Sequence, residues 1–548
     1  MCDSFNVGRY AEERICVCGD LSTKAIAAPA PCLDVQRAVF EVCTRCSRLI
    51  PIDLSAFSYQ ERLAYLEAVL DGTPLTLHGH NWIWTSLHTR PSVVSAWRRE
   101  ADPLADAALA ESTMMAAGAT DGFDAPPGVA HQTLLAAMDL PTWADADVCR
   151  RGGQVWFLNA PVLGPSLLGL SLIGGYGSNL INETLVAAAG LTGSRDSVHR
   201  RLIETLQFVN DVCQPRALER GGRGWRACLD VRMLHARVRM RVAANVPSRA
   251  AKVCPFGYGG GRGGEDAGDQ NQNQPVSAGD IVATQLAFSL VMLMGAERVG
   301  LAWHISDADV GALVHLWGVV GALLGATPAA GASSWAAKGD FIGARRTLES
   351  LVVVLSSPGP HTRGLVLATA RAAAYRIPLF WSPADHISVA TALSGARYAH
   401  ALGLPSHNDP ALQELLDDAA PTTALTSELR YVRTRSGHLA IDAMSVLRSE
   451  RSWGGAILFF AASSLLQVAN AAAVAVARVF QTVQTTTRRN VEPGAVSRGR
   501  ALLAPMHAWP LLVWILPPWA RARLAATNED ALVGYAKRRL RGRALYAF

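Results

Sequence analysis

Along most of this chain the apolar positions recur at helical spacing, in long alanine- and leucine-rich stretches punctuated by proline and glycine. Alternating runs of β-branched residues are rare. The pattern therefore predicts an all-α protein: a large helical core with N- and C-terminal helical extensions. Residues 1–94 form a mixed polar, Cys-containing extension in which SYQERLAYLEAVL predicts one amphipathic helix. The main body, 95–410, opens at ADPLADAALAE (101–111), where an aspartate beside proline suits a helix start. Further helices are predicted over 197–212, 281–295, 307–325 and 339–356, with a glycine-rich turn at 221–224. By composition 254–280 is a flexible loop, ALGLPSHNDP (401–410) a boundary, and 411–548 a C-terminal helical region.

Two stretches are apolar enough to change this picture. Residues 153–182 carry no charge but are broken by prolines and glycines, which suits packed, interrupted helices better than a lipid-facing one. Residues 454–477, GGAILFFAASSLLQVANAAAVAVA, have only Gln467 and Asn470 as amide interruptions and are flanked by Arg451 and Arg478. They read either as a buried core helix or as a membrane-embedded one, with a basic tail, YAKRRLRGRALYAF, beyond them.

Composition adds little about partners. Half of the 548 residues are hydrophobic and 18% are charged, as in a folded chain with a sizeable core. The formal net charge of +6 is built almost wholly from arginine, and over this length it is weak support for a nucleic-acid partner. None is expected. The N-terminus, MCDSFNVGRYAEERICVC, places acids and arginines where a secretory signal needs an apolar run, so an intracellular protein is expected. Ten cysteines in so long a chain do not make a disulfide framework. CVC at 16–18 and CTRC at 43–46 have the spacing of metal-binding pairs, and equally read as reduced thiols in the extension.

The chemistry concentrates in VRMLHARVRMRV (231–242). At about 100° per residue, Arg232, His235 and Arg239 share a helical stripe about 60° wide. Val231, Leu234, Val238 and Val242 lie on one side and Met233 and Met240 on the other, while Arg237 and Arg241 point away. Arginines on such a face need anionic partners. Two readings fit: the carboxylates of a metal-centred ligand such as haem, whose iron takes an imidazole, or aspartates and glutamates from other helices around an ordinary core histidine.

Upstream, in RRLIETLQF, Arg201 and Thr205 stand four apart on one helix face. An Arg-x-x-x-Thr helix, a glycine-containing turn and then RMLHARVR resemble the signature of the latex clearing protein (rubber oxygenase) and mycophenolic-acid oxygenase family. The resemblance extends to DPLADAALAE, PVSAGDIVATQLAFS (275–289), HLWGVVGALLGATP (315–328) and LGLP (402–405), in the same order. It implies a globin-like helical core around a haem b whose iron is held by His235, with Arg232 and Arg239 at the cofactor and Arg201 and Thr205 at the catalytic site. The activity it implies is O₂-dependent cleavage of a carbon–carbon double bond in an isoprenoid or other apolar alkene.

Departures from the family qualify that reading. Rubber-cleaving members carry a lysine directly before the threonine; here the position is Glu204. In the family a glutamate on a preceding helix acts as base, and Glu183 is the only acid between Val148 and Arg195. Glu204 is a second candidate. Each has a plainer reading: Glu183 as a carboxylate near a helix N-terminus, Glu204 as a surface acid pairing with Arg200 or Arg201. Besides an oxygenase, the pattern admits a haem-binding sensor or relic without the reaction, and a helical anion- or nucleic-acid-binding module.

Overall fold

The computed structural model describes residues 23–27, 39–43, 51–118, 128–188, 194–245, 274–326, 332–374, 376, 381–405 and 493–540. Their core is all-α. The helices are α1 (Tyr59–Ala68), α2 (Pro91–Arg99), α3 (Pro103–Gly118), α4 (Val129–Ala136), α5 (Ala146–Gly175) and α6 (Asn179–Ala187). Then follow α7 (Arg195–Val212), α8 (Arg223–Asn245), α9 (Ala278–Arg298), α10 (Asp307–Leu323), α11 (Ala332–Lys338) and α12 (Phe341–Leu355). The last are α13 (Pro360–Ala373), α14 (Pro383–Ser394), α15 (Ala396–Ala401), α16 (Pro493–Leu503), α17 (Ala508–Ile515) and α18 (Pro518–Leu540).

Local chemistry sets many of the starts. Ser58, Ser277, Ser306 and Ser382 each accept from the backbone N–H three residues on, and Glu61, Asp280, Asp309 and Asp385 reach back to the cap's own N–H. At the centre lies α10, buried almost throughout from Val310 to Leu323. Paired glycines on α5 let it approach. A Cβ on Gly152 would stand 2.5 Å from the Ala312 carbonyl oxygen, and one on Gly153 would collide with the Cys213 carbonyl at the end of α7.

Helix α5 is interrupted as its prolines require. Pro161 has no N–H to give the Phe157 carbonyl, and Asn528 of α18 donates to that oxygen instead, at 2.8 Å. Trp509 of α17 donates to the Leu158 carbonyl at 2.9 Å. The C-terminal helices therefore dock on the stretch of α5 that proline leaves unsatisfied. Arg498 of α16 adds an ion pair to Asp385 of α14.

Beyond the prolines α5 widens into a π turn, Leu167–Leu172, and α9 does the same at Ala287–Val291. The two turns face each other. Ser166 donates to the Met292 carbonyl at 2.6 Å, and Ser171 to the Ala287 carbonyl at 2.7 Å. π turns inside α-helices recur at functional sites. Helices α5 and α9 are also long and apolar enough to cross a membrane by length and composition, but more than half of each apolar window is buried in this fold.

The N-terminal side departs from the helical expectation. Strands β1 (Thr23–Ala27) and β2 (Val39–Cys43) pair antiparallel, and β3 (Ile52–Asp53), β4 (Pro74–Leu77) and β5 (His80–Ile83) form a three-stranded sheet in that order. The predicted helix α1 is present beside them. All four residues of β4 are buried, so the alternation that would reveal a strand is missing. The β4–β5 turn has positive φ at His78 and Gly79, as a two-residue hairpin requires. This sheet joins the helical body through a buried carboxylate: Glu349 of α12 meets His88 at 3.0 Å, Arg345 at 2.8 Å and Arg346 at 2.7 Å.

Candidate functional site

Helices α7 and α8 pack as a hairpin, and the glycine-rich turn makes the reversal. Gly221 has φ +77°, and a Cβ on Gly222 would come 2.5 Å from the Ala217 carbonyl. Trp225, on the first turn of α8, anchors the helix by donating to the Met138 carbonyl at 2.7 Å.

His235 lies midway along α8. Its Nδ1 is buried and has no hydrogen-bond partner. Burial, reinforced by the Arg239 charge and opposed by Asp102, pushes its pKa down to about 4, so the imidazole is neutral at neutral pH. Next to it Met233 and Leu234 are only half-buried although they pack against the core. The predicted stripe is otherwise as expected, with Val238 buried and Arg237 and Arg241 exposed; Met240, expected at the apolar border, is exposed.

The two arginines beside His235 have protein partners. Arg232 makes a two-point ion pair with Asp102, Nε to Oδ2 at 2.6 Å and NH2 to Oδ1 at 3.0 Å, with both side chains buried. Arg239 binds Asp106, Nε to Oδ1 at 2.9 Å and Nε to Oδ2 at 3.1 Å, and donates to the Val276 carbonyl. Of the two readings open to them, pairing with acids of another helix is the one this geometry realises. Asp102 also caps α3 through the Ala105 N–H. These arginines thus fix α8 against α3 on either side of His235.

On α7, Thr205 donates to the Arg201 carbonyl at 3.0 Å. Glu204 is buried rather than at the surface, and its two oxygens are held by Arg200 Nε at 2.8 Å and Arg201 NH1 at 2.6 Å. Glu183, on α6, accepts from Asn179 Nδ2 at 2.8 Å. Among the described residues no hydrogen bond or ion pair joins Glu183 or Glu204 to His235. Helix α6 does pack on α8 and α13, so Glu183 belongs to the same end of the bundle.

Sequence reasoning missed Asp102 and Asp106 as the arginines' partners; their four-residue spacing in ADPLAD, which puts both on one helix face, was the available signal. It also missed Gly325, which has φ +88° and whose Cβ would come 2.7 Å from Asp102 Oδ2 and 3.1 Å from Arg232 Nε. The WGVVGALLG stretch owes its glycines to such approaches. Gly321 lies directly against the Gln285 side chain, while Trp317 stacks on Phe288 of the second π turn at 4.8 Å. The N-terminal cysteine pairs, the 254–280 loop up to residue 273, the 406–410 part of the boundary and the 454–477 segment lie outside the described residues or their described side chains.

The α7–α8 hairpin thus carries a neutral, half-buried histidine whose Nδ1 has no hydrogen-bond partner. Residues 162–425 match the family described as ER-bound oxygenase mpaB/B'/Rubber oxygenase, catalytic domain. The chain carries a domain of this oxygenase family. Glu183, Arg201, Glu204, Thr205, Arg232, His235 and Arg239 all fall within the matched residues. Among solved structures the chain is similar to "Structure of Latex Clearing Protein LCP in the closed state". The identity is 19% and the TM-score 0.39, over 62% of this chain and 89% of that one. No curated protein sequence matches the chain.

Proposed function

We propose that this chain is a haem b-dependent oxygenase that uses O₂ to cleave a carbon–carbon double bond in an isoprenoid or other apolar alkene. The observation that carries this reading is His235: a neutral imidazole, its Nδ1 without a protein partner, on a helix inside the matched oxygenase domain. Among the described residues no group of three or more His, Cys, Asp or Glu side chains is placed to hold a bare metal ion. A single imidazole is instead the donor that a macrocycle-bound iron takes from a protein.

The residues fit haem b with one adjustment to the sequence expectation. His235 would hold the iron. Arg232 and Arg239, committed to Asp102 and Asp106, act by holding α8 in place, and burial, with the Arg239 charge added to it, keeps the imidazole neutral. When bound, the haem supplies O₂ activation. The chain's own part is to exclude water and to orient an apolar substrate. Large half-buried apolar side chains at the two π turns, Leu167, Leu170, Phe288 and Val291, offer surface for that purpose. Glu183 and Glu204 are the carboxylates available to accept an allylic proton, with Thr205 and Arg201 beside Glu204. Of the two, Glu183 is the better base, because Glu204 is already engaged by two guanidinium groups. That engagement also supports a second reading, a haem-binding relative without the reaction.

The anion-binding alternative loses its charges, since Arg232 and Arg239 are neutralised within the chain. The arrangement of three regions, 1–94, 95–410 and 411–548, stays a proposal, as does membrane insertion of 454–477. Purified protein assayed for haem b and for O₂ consumption with an isoprenoid alkene tests the function. Haem with turnover supports the oxygenase, haem without turnover supports the inactive relative, and no haem refutes both.

A further inference from the structure

The exposed surface of the C-terminal helices carries its own message. Leu511, Trp514, Ile515 and Trp519 expose 55%, 63%, 66% and 72% of their surface. They fall within nine residues, at the corner where α17 ends and α18 begins. Helical spacing separates the two faces of α17. Trp509, Pro510 and Val513 turn into the core, whereas Leu511, Trp514 and Ile515 turn outward. Pro517, Pro518 and Trp519 extend the same apolar corner, and all three are exposed. The corner is fixed from behind by Trp509 and Asn528, both bonded to α5, and by Trp303, whose ring lies 6.2 Å from that of Trp514.

The chain that builds this corner is basic in sequence up to Asn528. From Pro493 to Asn528 the sequence has no aspartate or glutamate but holds Arg498, Arg500, Arg521 and Arg523. Arg498 pairs with Asp385, and Arg500 is exposed. Exposed tryptophans beside arginines are the composition of protein surfaces that sit at the boundary between lipid headgroups and acyl chains. An anionic bilayer surface complements the arginines while its acyl region receives the apolar corner. A second protein copy would have to supply both an apolar recess and acidic groups.

We propose that the α17–α18 corner docks on an anionic lipid bilayer, lying in its surface with Leu511, Trp514, Ile515 and Trp519 inserted. It is distinct from the 454–477 segment and needs no membrane-spanning helix. It brings the oxygenase domain to the phase in which apolar alkenes dissolve, whatever the substrate proves to be.

The test is vesicle flotation of the full chain, with vesicles of equal parts phosphatidylcholine and phosphatidylglycerol against phosphatidylcholine alone. The protein is expected to float with the anionic vesicles and to be released by high salt. The variant Leu511→Ser/Trp519→Ser should bind at least about tenfold more weakly with an unchanged melting temperature, since neither side chain holds the corner in place. Brominated lipids should quench tryptophan fluorescence less in Trp514→Phe/Trp519→Phe than in the parent. Equal vesicle binding by parent and serine variant would overturn the proposal and assign the membrane contact to another segment. Absence of binding by the parent, with self-association that the serine variant loses, would overturn it in favour of a second copy.

Discussion

Arg232 and Asp102 meet in a two-point buried ion pair that spans the gap between the histidine helix and the start of α3. Removing one partner strands a charge away from water, which costs about 3–5 kcal/mol. Asp102→Ala should therefore lower the unfolding free energy by that order in urea titration. Asp102→Leu combined with Arg232→Met should recover much of it. A loss under about 1 kcal/mol for the single variant would contradict the buried pairing.

Gly325 leaves room for that pair. Alanine there faces both a left-handed backbone and the Asp102 carboxylate, so Gly325→Ala should cost at least about 1–2 kcal/mol. Gly364, on α13, has nothing within 4 Å of an added Cβ, and Gly364→Ala should stabilise by roughly 0.5–1 kcal/mol. Thermal unfolding of the two variants should shift in opposite directions.

Asn528 satisfies the carbonyl that Pro161 leaves free. Asn528→Leu should lose about 1–3 kcal/mol, because the Phe157 oxygen is then buried without a donor. Limited proteolysis should also release α16–α18 sooner than in the parent. Unchanged protection would mean that other contacts hold these helices.

Much of this was legible beforehand, and the gaps have physical causes. The α8 stripe followed from helical periodicity alone, because Arg232, His235 and Arg239 are the polar exceptions on an apolar face. Which acids met the arginines did not follow, since that depends on how α3 crosses α8. The π turns were hidden in the uniformly apolar runs LLGLSL and AFSLV, where no polar residue marks a change of register. The short sheet was hidden because β4 is buried on both faces. The spacing of Glu204 from Arg200 and Arg201 allows their pairing, but reads as a surface one; its burial follows only from packing.

Acid should destabilise the protein well above the usual carboxylate range. His386 is buried and pushed down to about 4 by that burial, against the opposing influence of Asp385 and of the Ala373 backbone. In the unfolded chain it titrates near 6.5, so between pH 6.5 and about 4 the unfolded state takes up a proton that the folded state refuses. Stability is lost across that window as pH falls, by up to roughly 3 kcal/mol for this group. His386→Asn should flatten the pH dependence of the unfolding free energy there, and identical slopes would contradict the assignment. At lower pH, burial raises the Glu349 carboxyl, but the His88 hydrogen bond and the Arg345 and Arg346 charges outweigh it and bring it to about 2. Its contribution is present above the unfolded value and disappears as pH falls towards 2.

The proposed function rests on His235 as the ligand of a haem iron. Pyridine haemochrome analysis of the purified chain and of His235→Ala, each reconstituted with haemin, measures this most directly. One haem b per chain is expected in the parent and none in the variant, with both proteins folded by circular dichroism. Equal haem content and the same Soret band in the two proteins, or no haem uptake by the parent, would contradict it.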